Sequence, residues 1–268
     1  MNVHQQIKNA KRVVVKVGTS TLTHHNGRLN LRRIERLTRT LSDLKNQGRE
    51  IVLVSSGAVG AGAAKLGWRE KPDATAAKQA AAAVGQVELM NIYGRLFSEY
   101  GYTVAQVLLT KDVLDGDARQ KNAESTFEQL LNMDIIPIVN ENDTISSDEL
   151  EFGDNDTLSA RVARLTKAKV LVILSDIDGL YDSDPHTNDE AMLIRKVKNI
   201  DEHIEDMGGG AGSSFGTGGM ATKISAAKLA TDNGIHTIVA NGQKPDILFD
   251  IFDGKSEGTV FVAGGKEL

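Results

Sequence analysis

Arg12-Val13-Val14-Val15-Lys16-Val17-Gly18-Thr19-Ser20 is a short β-branched run that stops in a polar turn, the pattern of a strand buried on both faces with its functional loop at the C-terminal end. Ile51-Val52-Leu53-Val54 repeats the pattern and stops in Ser55-Ser56-Gly57. The same reading predicts strands over 104–109, 135–139, 170–174, 236–240 and 259–262. Helical patterns fill the intervals, over 31–47, 58–66, 75–100, 119–132, 155–167, 220–233 and 245–252. Such alternation predicts an α/β fold, a three-layer αβα sandwich with a mainly parallel central sheet and ligands at the strand C-termini. Residues 144–153 and 181–199 lack helical periodicity and read as hairpins or lids, with turn chemistry at Asp184-Pro185 and Thr187-Asn188-Asp189.

The 268 residues, 40% of them apolar, suffice for a substantial core, and we expect one domain over 1–268. Thirty-one basic residues against 36 acidic ones give a formal charge of −5, which argues against nucleic acid or an anionic membrane as partner and for a small molecule. The absence of cysteine rules out disulfides and thiolate metal sites, and the six histidines are scattered. The first residues, Met1-Asn2-Val3-His4-Gln5-Gln6-Ile7-Lys8, lack the apolar stretch of a signal peptide, and no later run approaches membrane-spanning length. The expected location is the cytoplasm.

The loops carry the chemistry. Seven glycines fall within the twelve residues 208–219, and the run Gly216-Thr217-Gly218-Gly219-Met220-Ala221-Thr222-Lys223 leads straight into a helical pattern. Composition alone fits a mobile surface loop. A lysine in the first turn of a helix, whose free amides point out of its N-terminus, fits a phosphate site. Lys16, inside an apolar strand beside Gly18, reads either as an end-of-strand side chain reaching water or as a fixed ammonium facing phosphate. Ser56 opens a strand-to-helix turn, as a helix cap or a ligand contact. Asn140-Glu141-Asn142-Asp143-Thr144 follows a strand, and Gly153-Asp154-Asn155-Asp156 starts a helix with more Asp and Asn than a single cap needs, which directs Asn155 and Asp156 at a site. Ser175-Asp176-Ile177-Asp178-Gly179 again puts polar residues after a buried strand, suited to a nucleotide's base and ribose.

Four decoys fail. Gly254-Lys255-Ser256 resembles the end of a Walker loop, but that pattern needs Gly where Phe249 stands. Asp176 and Asp178 begin like a calcium loop, yet Leu180 and Tyr181 occupy its next two diagnostic positions. No Gly-x-Gly-x-x-Gly opens a helix after the first strand. His24 and His25 sit in a polar turn beside Asn26-Gly27, where histidines are ordinarily solvated.

Taken in order, Val17-Gly18-Thr19-Ser20, Val54-Ser55-Ser56-Gly57-Ala58, Val139-Asn140-Glu141-Asn142-Asp143, Gly153-Asp154-Asn155-Asp156, Ser175-Asp176 with Gly179-Leu180-Tyr181, and the 216–223 run resemble the glutamate-phosphorylating members of the amino acid kinase family over nearly the whole chain. The resemblance implies that Lys16 and Lys223 contact the transferring phosphoryl group while Asp156 orients them. It implies that Ser56, Asp143 and Asn155 bind L-glutamate. It assigns Lys16, Ser175, Asp176, Thr217, Gly218, Gly219, Met220, Ala221, Thr222 and Lys223 to ATP, with Mg2+ carried on the ATP phosphates and no protein metal site. The glutamate-binding part would run over roughly 1–167 and the ATP-binding part over roughly 168–268. Feedback inhibition by proline and a homo-oligomer, dimer or tetramer, with 75–100 as a contact surface, follow from the same source. Many members continue into a C-terminal RNA-binding-like PUA domain, which is not expected for a sequence that stops at Leu268.

The implied reaction is transfer of the ATP γ-phosphoryl group to the side-chain carboxylate of L-glutamate, the first step towards proline. That acceptor is ionised at neutral pH, so no general base is required. Two readings compete with it. One is a family enzyme acting on acetylglutamate, aspartate, carbamate or UMP; the other is a nucleotide-binding amino acid sensor without turnover.

Overall fold

The computed structural model describes residues 2–24, 27–68, 70, 72–110, 117–145, 155–185, 187–208 and 219–264. Its strands are β1 (Arg12–Val17), β2 (Glu50–Ser55), β3 (Val104–Leu109), β4 (Ile136–Glu141), β5 (Val170–Ser175), β6 (Lys196–Val197), β7 (His236–Asn241) and β8 (Thr259–Phe261). They form one eight-stranded sheet in the order β3-β4-β2-β1-β5-β7-β8-β6. Every pairing is parallel except β7 with β8. The helices are α1 (Val3–Lys8), α2 (Thr19–Leu22), α3 (Leu31–Asn46), α4 (Ala58–Lys65), α5 (Thr75–Ser98), α6 (Asp117–Asn132), α7 (Asn155–Leu165), α8 (Glu202–Met207), α9 (Met220–Asp232) and α10 (Ile247–Phe252).

The two-residue period of a strand divides the core into two layers. Val13, Val15 and Val17 of β1 pack with Leu37, Leu41 and Leu44 of α3, Leu89, Tyr93 and Phe97 of α5, and Leu248 and Phe252 of α10. Val14 turns the other way, into a cluster with Phe127 and Leu131 of α6, Leu158 and Val162 of α7, and Ile224 and Ala227 of α9. Lys16, two residues on, shares the face of Val14. At this position the apolar pattern of the strand gives way to a cation, so a charge is brought up against α7 and α9.

Chain order puts a crevice beside that cation. After β1 the chain lays β2, β3 and β4 on one side of it, then crosses back to place β5 on the other. The C-terminal ends of β1 and β5 therefore diverge into a topological switch point, where open parallel sheets bind ligands. The two strands part at Gly18, whose N–H still reaches the Leu174 carbonyl at 3.4 Å.

The helices α4 and α5 approach backbone to backbone. A Cβ on Gly62 would stand 1.8 Å from the Ala81 carbonyl oxygen, and one on Gly85 would stand 1.8 Å from that of Ala58. Only glycine permits this packing, and it holds the middle of α5 tightly against the turn that follows β2.

The strands and the long helices begin and end within about two residues of the expected bounds. The pattern overlooks α1, α2 and α8, each of four to six residues, because so few residues carry no readable 3.6-residue period. It also overlooks β6, two residues inside the span read as a hairpin or lid. That span does hold an isolated antiparallel bridge between Tyr181 and Leu193. Of 144–153, the second span read this way, 146–153 lie outside the described residues.

Candidate active site

A buried ionic cluster occupies the C-terminal end of β1. Asp156, in the first turn of α7, is fully buried, and Lys16 and Lys223 are 7% and 5% exposed. Lys16 Nζ lies 2.5 Å from Asp156 Oδ1, and Lys223 Nζ lies 3.2 Å from Asp156 Oδ2. Thr222 Oγ1 donates to the same Oδ2 at 3.0 Å. Burial by itself would raise the Asp156 carboxyl, but the charges of Lys16 and Lys223 and the bonds from Lys16 and Thr222 outweigh it and hold the group below the ordinary carboxylate range. One carboxylate thus fixes two ammonium groups that come from β1 and α9, which are far apart in sequence.

Backbone donors open at the same end of the sheet. The N-caps of α2, α4 and α9 are Gly18, Gly57 and Gly219, and none supplies a side-chain cap. By contrast α1, α3 and α8 are capped by Asn2, Asn30 and Asp201. Gly57 has φ +99°, a left-handed conformation that lets the chain turn sharply from β2 into α4. With glycine at these caps, the first amides of each helix stay available to an anion. Met220 and Ala221 lie in that first turn of α9. Ser56 therefore precedes the cap of α4 and is not the cap itself.

Beside the ionic cluster lies a network of neutral side chains. Asn155, adjacent to Asp156, donates through Nδ2 to Ser56 Oγ at 2.9 Å and to Asn140 Oδ1 at 3.3 Å. Asn140, at the end of β4, donates through its own Nδ2 to Gln86 Oε1 of α5 at 2.9 Å, while its Oδ1 also accepts the Glu141 N–H at 2.9 Å. Asn155 Oδ1 is buried and has no hydrogen-bond partner among the described residues. Behind Ser56, the Ser55 hydroxyl meets Tyr93 OH at 3.0 Å. Burial drives the Tyr93 phenol far up against the pull of Ser55, which keeps it neutral.

Asp143 follows β4 in a turn. Burial pushes its carboxyl up to about 6, the state of a carboxylate taken from water without a compensating cation. On the other side of the switch point, Ser175 Oγ donates to the exposed Asp176 at 3.0 Å, and the Ser175 carbonyl accepts Gly242 N–H at 2.7 Å. Neither Asp143 nor the Ser175–Asp176 pair is joined to the two clusters by a hydrogen bond among the described residues. Thr217 and Gly218 lie outside the described residues.

The structure thus brings Lys16, Asp156, Thr222 and Lys223 into one cluster and Ser56 and Asn155 into the next, which shares α7 with it. Sequence reasoning missed Gln86 and Tyr93 and took Asn140 only as part of a polar turn. A signal for Gln86 existed: it falls in the stripe Ala81, Ala82, Gly85, Leu89, where every neighbour on the buried face is apolar or glycine.

Residues 11–241 match the model of the amino acid kinase family. The chain is 56% identical to a glutamate 5-kinase of Clostridium perfringens, over 97% of this chain and 98% of that protein. It is 51% identical to a glutamate 5-kinase of Enterococcus faecalis, over 99% of each. Among solved structures, a UMP kinase from Bacillus anthracis superposes with a TM-score of 0.66 at 17% identity, covering 96% of this chain and 97% of that one. An isopentenyl phosphate kinase from T. acidophilum superposes with a TM-score of 0.61 at 18% identity, covering 93% and 99%. These two likenesses establish the α/β sandwich with its mainly parallel sheet.

Proposed function

The chain belongs to the amino acid kinase family, and from that premise we propose that it transfers the γ-phosphoryl group of ATP to the side-chain carboxylate of L-glutamate, giving L-glutamyl 5-phosphate at the start of proline biosynthesis. The observation that carries this reading is the Lys16–Asp156–Lys223 cluster, set among uncapped helix N-termini and flanked by the Ser56–Asn155 pair. The near full-length identity to glutamate 5-kinases supports the choice of acceptor.

In this reading the obstacle is electrostatic. An anionic acceptor must approach an anionic phosphoryl group, and charge spreads over the equatorial oxygens as the bond to ADP loosens. Lys16 and Lys223 meet that charge, and Asp156 holds both nitrogens in place before substrates arrive, so little reorganisation is needed during transfer. The carboxylate nucleophile is already ionised, so the site has no need of a general base. Gly219, Met220, Ala221 and Thr222, with Thr217 and Gly218 before them, cradle the ATP phosphates, and Ser175 and Asp176 face the nucleoside. Mg2+ arrives on the ATP phosphates; Asp156 is engaged by two ammonium groups and a hydroxyl.

For the acceptor, Asp143 takes the α-ammonium and Ser56 the α-carboxylate, while Asn155 Oδ1 offers a second acceptor to the ammonium. The acceptor half of the site then comes from roughly 1–167 and the nucleotide half from roughly 168–268. Proline carries the same ammonium and carboxylate, so it competes for these groups as a feedback inhibitor. Titration of proline at several glutamate concentrations should give a competitive pattern, and a purely noncompetitive one removes this assignment. We place the protein in the cytoplasm; among the described residues no helix is long and apolar enough to cross a membrane. We also propose a homo-oligomer that buries part of α5, where Val87 is 62% exposed, to be tested by sedimentation equilibrium.

The deciding experiment is ADP release from the purified protein with Mg-ATP, offering L-glutamate, N-acetylglutamate, L-aspartate and UMP separately, with hydroxylamine present. Glutamate-dependent ADP release with γ-glutamyl hydroxamate is expected. Turnover with another acceptor and none with glutamate overturns the substrate assignment, and ATP binding without any turnover favours a sensor.

A further inference from the structure

We infer that Gln86 is a positioning residue that sets the polarity of the acceptor site, and so its preference for a substrate carrying an ammonium group. This inference rests on the L-glutamate reading above. A backbone N–H only donates, so the Glu141 N–H at 2.9 Å fixes the near atom of the Asn140 side chain as its oxygen. The Asn140 amide nitrogen must then face α5, where Gln86 presents Oε1 at 2.9 Å. Because Asn140 turns its oxygen toward α7, Asn155 has to answer with Nδ2, and the second proton of that nitrogen goes to Ser56 Oγ.

Both protons of Asn155 Nδ2 are thereby used. What remains at that side chain is Oδ1, a buried acceptor with no partner among the described residues. Ser56 Oγ already accepts from Asn155, so its own proton is free to be given to an anion. The network therefore ends in one acceptor and one donor side by side, matched to the ammonium and carboxylate of an α-amino acid.

Gln86 anchors the far end. Gln86 and Asn140 are 8% and 2% exposed, so removing the Gln86 oxygen leaves a buried amide N–H without water to replace it. Held then only by the Glu141 N–H at its oxygen, the Asn140 amide swings about that bond to find another acceptor, and Asn155 loses the well-placed partner that keeps Oδ1 toward the substrate. The contact of Gly85 with the Ala58 carbonyl keeps Gln86 at a fixed distance from the site. Gln86 touches no substrate in this account; it acts through Asn140 and Asn155.

The test compares L-glutamate with glutarate, which has the same carbon chain and lacks the α-ammonium. KM for L-glutamate, kcat, KM for ATP and the competitive inhibition constant of glutarate are measured for the wild type, Gln86→Met, Gln86→Ala and Gln86→Glu. In Gln86→Met the KM for L-glutamate should rise about tenfold, the worth of one hydrogen bond to a charged group. The other three constants should stay within about twofold, so the preference for the ammonium collapses. Gln86→Glu, which keeps an acceptor at the same place, should restore most of it. Equal shifts for glutamate and glutarate, or no shift, in whichever of the Met and Ala variants folds, would overturn the inference and leave the substrate reading intact. Failure of the wild type to form γ-glutamyl hydroxamate would instead overturn the substrate reading.

Discussion

Strand β1 carries an ionic cluster at each end, and the two differ in almost everything but charge. At its start, Arg12 bonds Glu50 Oε2 at 2.6 Å and Glu128 Oε2 at 2.9 Å, and Lys11 reaches the other oxygen of Glu50 at 3.1 Å. The side chains of Lys11 and Glu128 are 75% and 50% exposed. At its end, Lys16 and Lys223 share a carboxylate with no exposure at all. The first cluster stands at the N-terminal edge of the sheet and stitches β1 to β2, to α6 and, through the Thr166 carbonyl at 2.6 Å, to the turn after α7. Water and salt can replace much of what it does. The second stands where parallel strands bind ligands, and its carboxylate has no exposure through which water could replace the two lysines. Burying ions is costly even when they are paired, so a buried cluster at a switch point marks function more strongly than an exposed cluster at the opposite end.

The largest expected effect probes that inner cluster. Lys223→Ala should lower kcat by about two to four decades, the range for removing a preorganised charge that acts on the transition state, with KM for L-glutamate within about threefold. Steady-state kinetics with hydroxylamine trapping checks it. Wild-type turnover in this variant would reduce the inner cluster to a structural one and erase its contrast with the outer. Asp156→Asn should show the second mark of burial: removing one partner of a buried ion pair costs about 3–5 kcal/mol, read as a loss of urea unfolding stability.

Much of this cluster was legible before the fold was known, because each member breaks a local rule. Lys16 interrupts a β-branched run, Lys223 follows a glycine-rich loop at a helix start, and Asn155 and Asp156 exceed the need for one cap. The mainly parallel sheet needed no more than alternating patterns and the preference for right-handed crossovers, whereas the order of its strands emerged only with the fold. What stayed hidden depends on contacts between distant segments. Gln86 becomes meaningful only when α5 is known to lie beside the end of β4, and the apposition of Gly62 with Gly85 follows from a packing that neither local sequence announces. Local pattern only aims Asp156 at a site; its link to both lysines was expected from the family resemblance alone, and the distances that join the three belong to tertiary structure.

A smaller effect separates Asp143 from both clusters, since this carboxylate has lost water without gaining a cation among the described residues. Its carboxyl, lifted to about 6 by burial, should take up the substrate ammonium as the missing partner. KM for L-glutamate should then rise as pH falls below about 6, where Asp143 is protonated before substrate binds, and Asp143→Asn should raise it about 10- to 100-fold at pH 7.5. The stability sign is opposite. Between about pH 4 and the raised value the folded protein holds a proton that the unfolded chain has released, so stability falls as pH rises through that window. Asp143→Asn lacks this penalty and should be more stable than wild type by about 1–3 kcal/mol at pH 7, with the gain gone near pH 4. A variant that loses both affinity and stability would make Asp143 part of the scaffold, like Arg12, and would withdraw it from substrate binding.

The smallest effect tests the outer cluster itself. Arg12→Ala removes a guanidinium whose pKa is raised: burial opposes it, and the bonds and charges of Glu128 and Glu50 outweigh burial. It also removes a donor to a backbone carbonyl. Because water reaches Glu128 and Lys11, the expected loss is about 1–2 kcal/mol of unfolding free energy, with kcat and both KM values unchanged. The pH dependence follows from Glu50, where burial pulls upward but the bonds from Arg12 and Lys11 hold the carboxyl below its ordinary value. A depressed carboxyl stabilises the fold above its unfolded pKa, and that contribution fades as pH falls through the folded one. The difference between wild type and Arg12→Ala should therefore shrink in acid and with added salt. A kcat that falls with Arg12 would mean that strain at one end of β1 reaches Lys16 at the other, four residues and one strand length away. The two clusters would then be a single device, and burial alone would no longer explain why they differ.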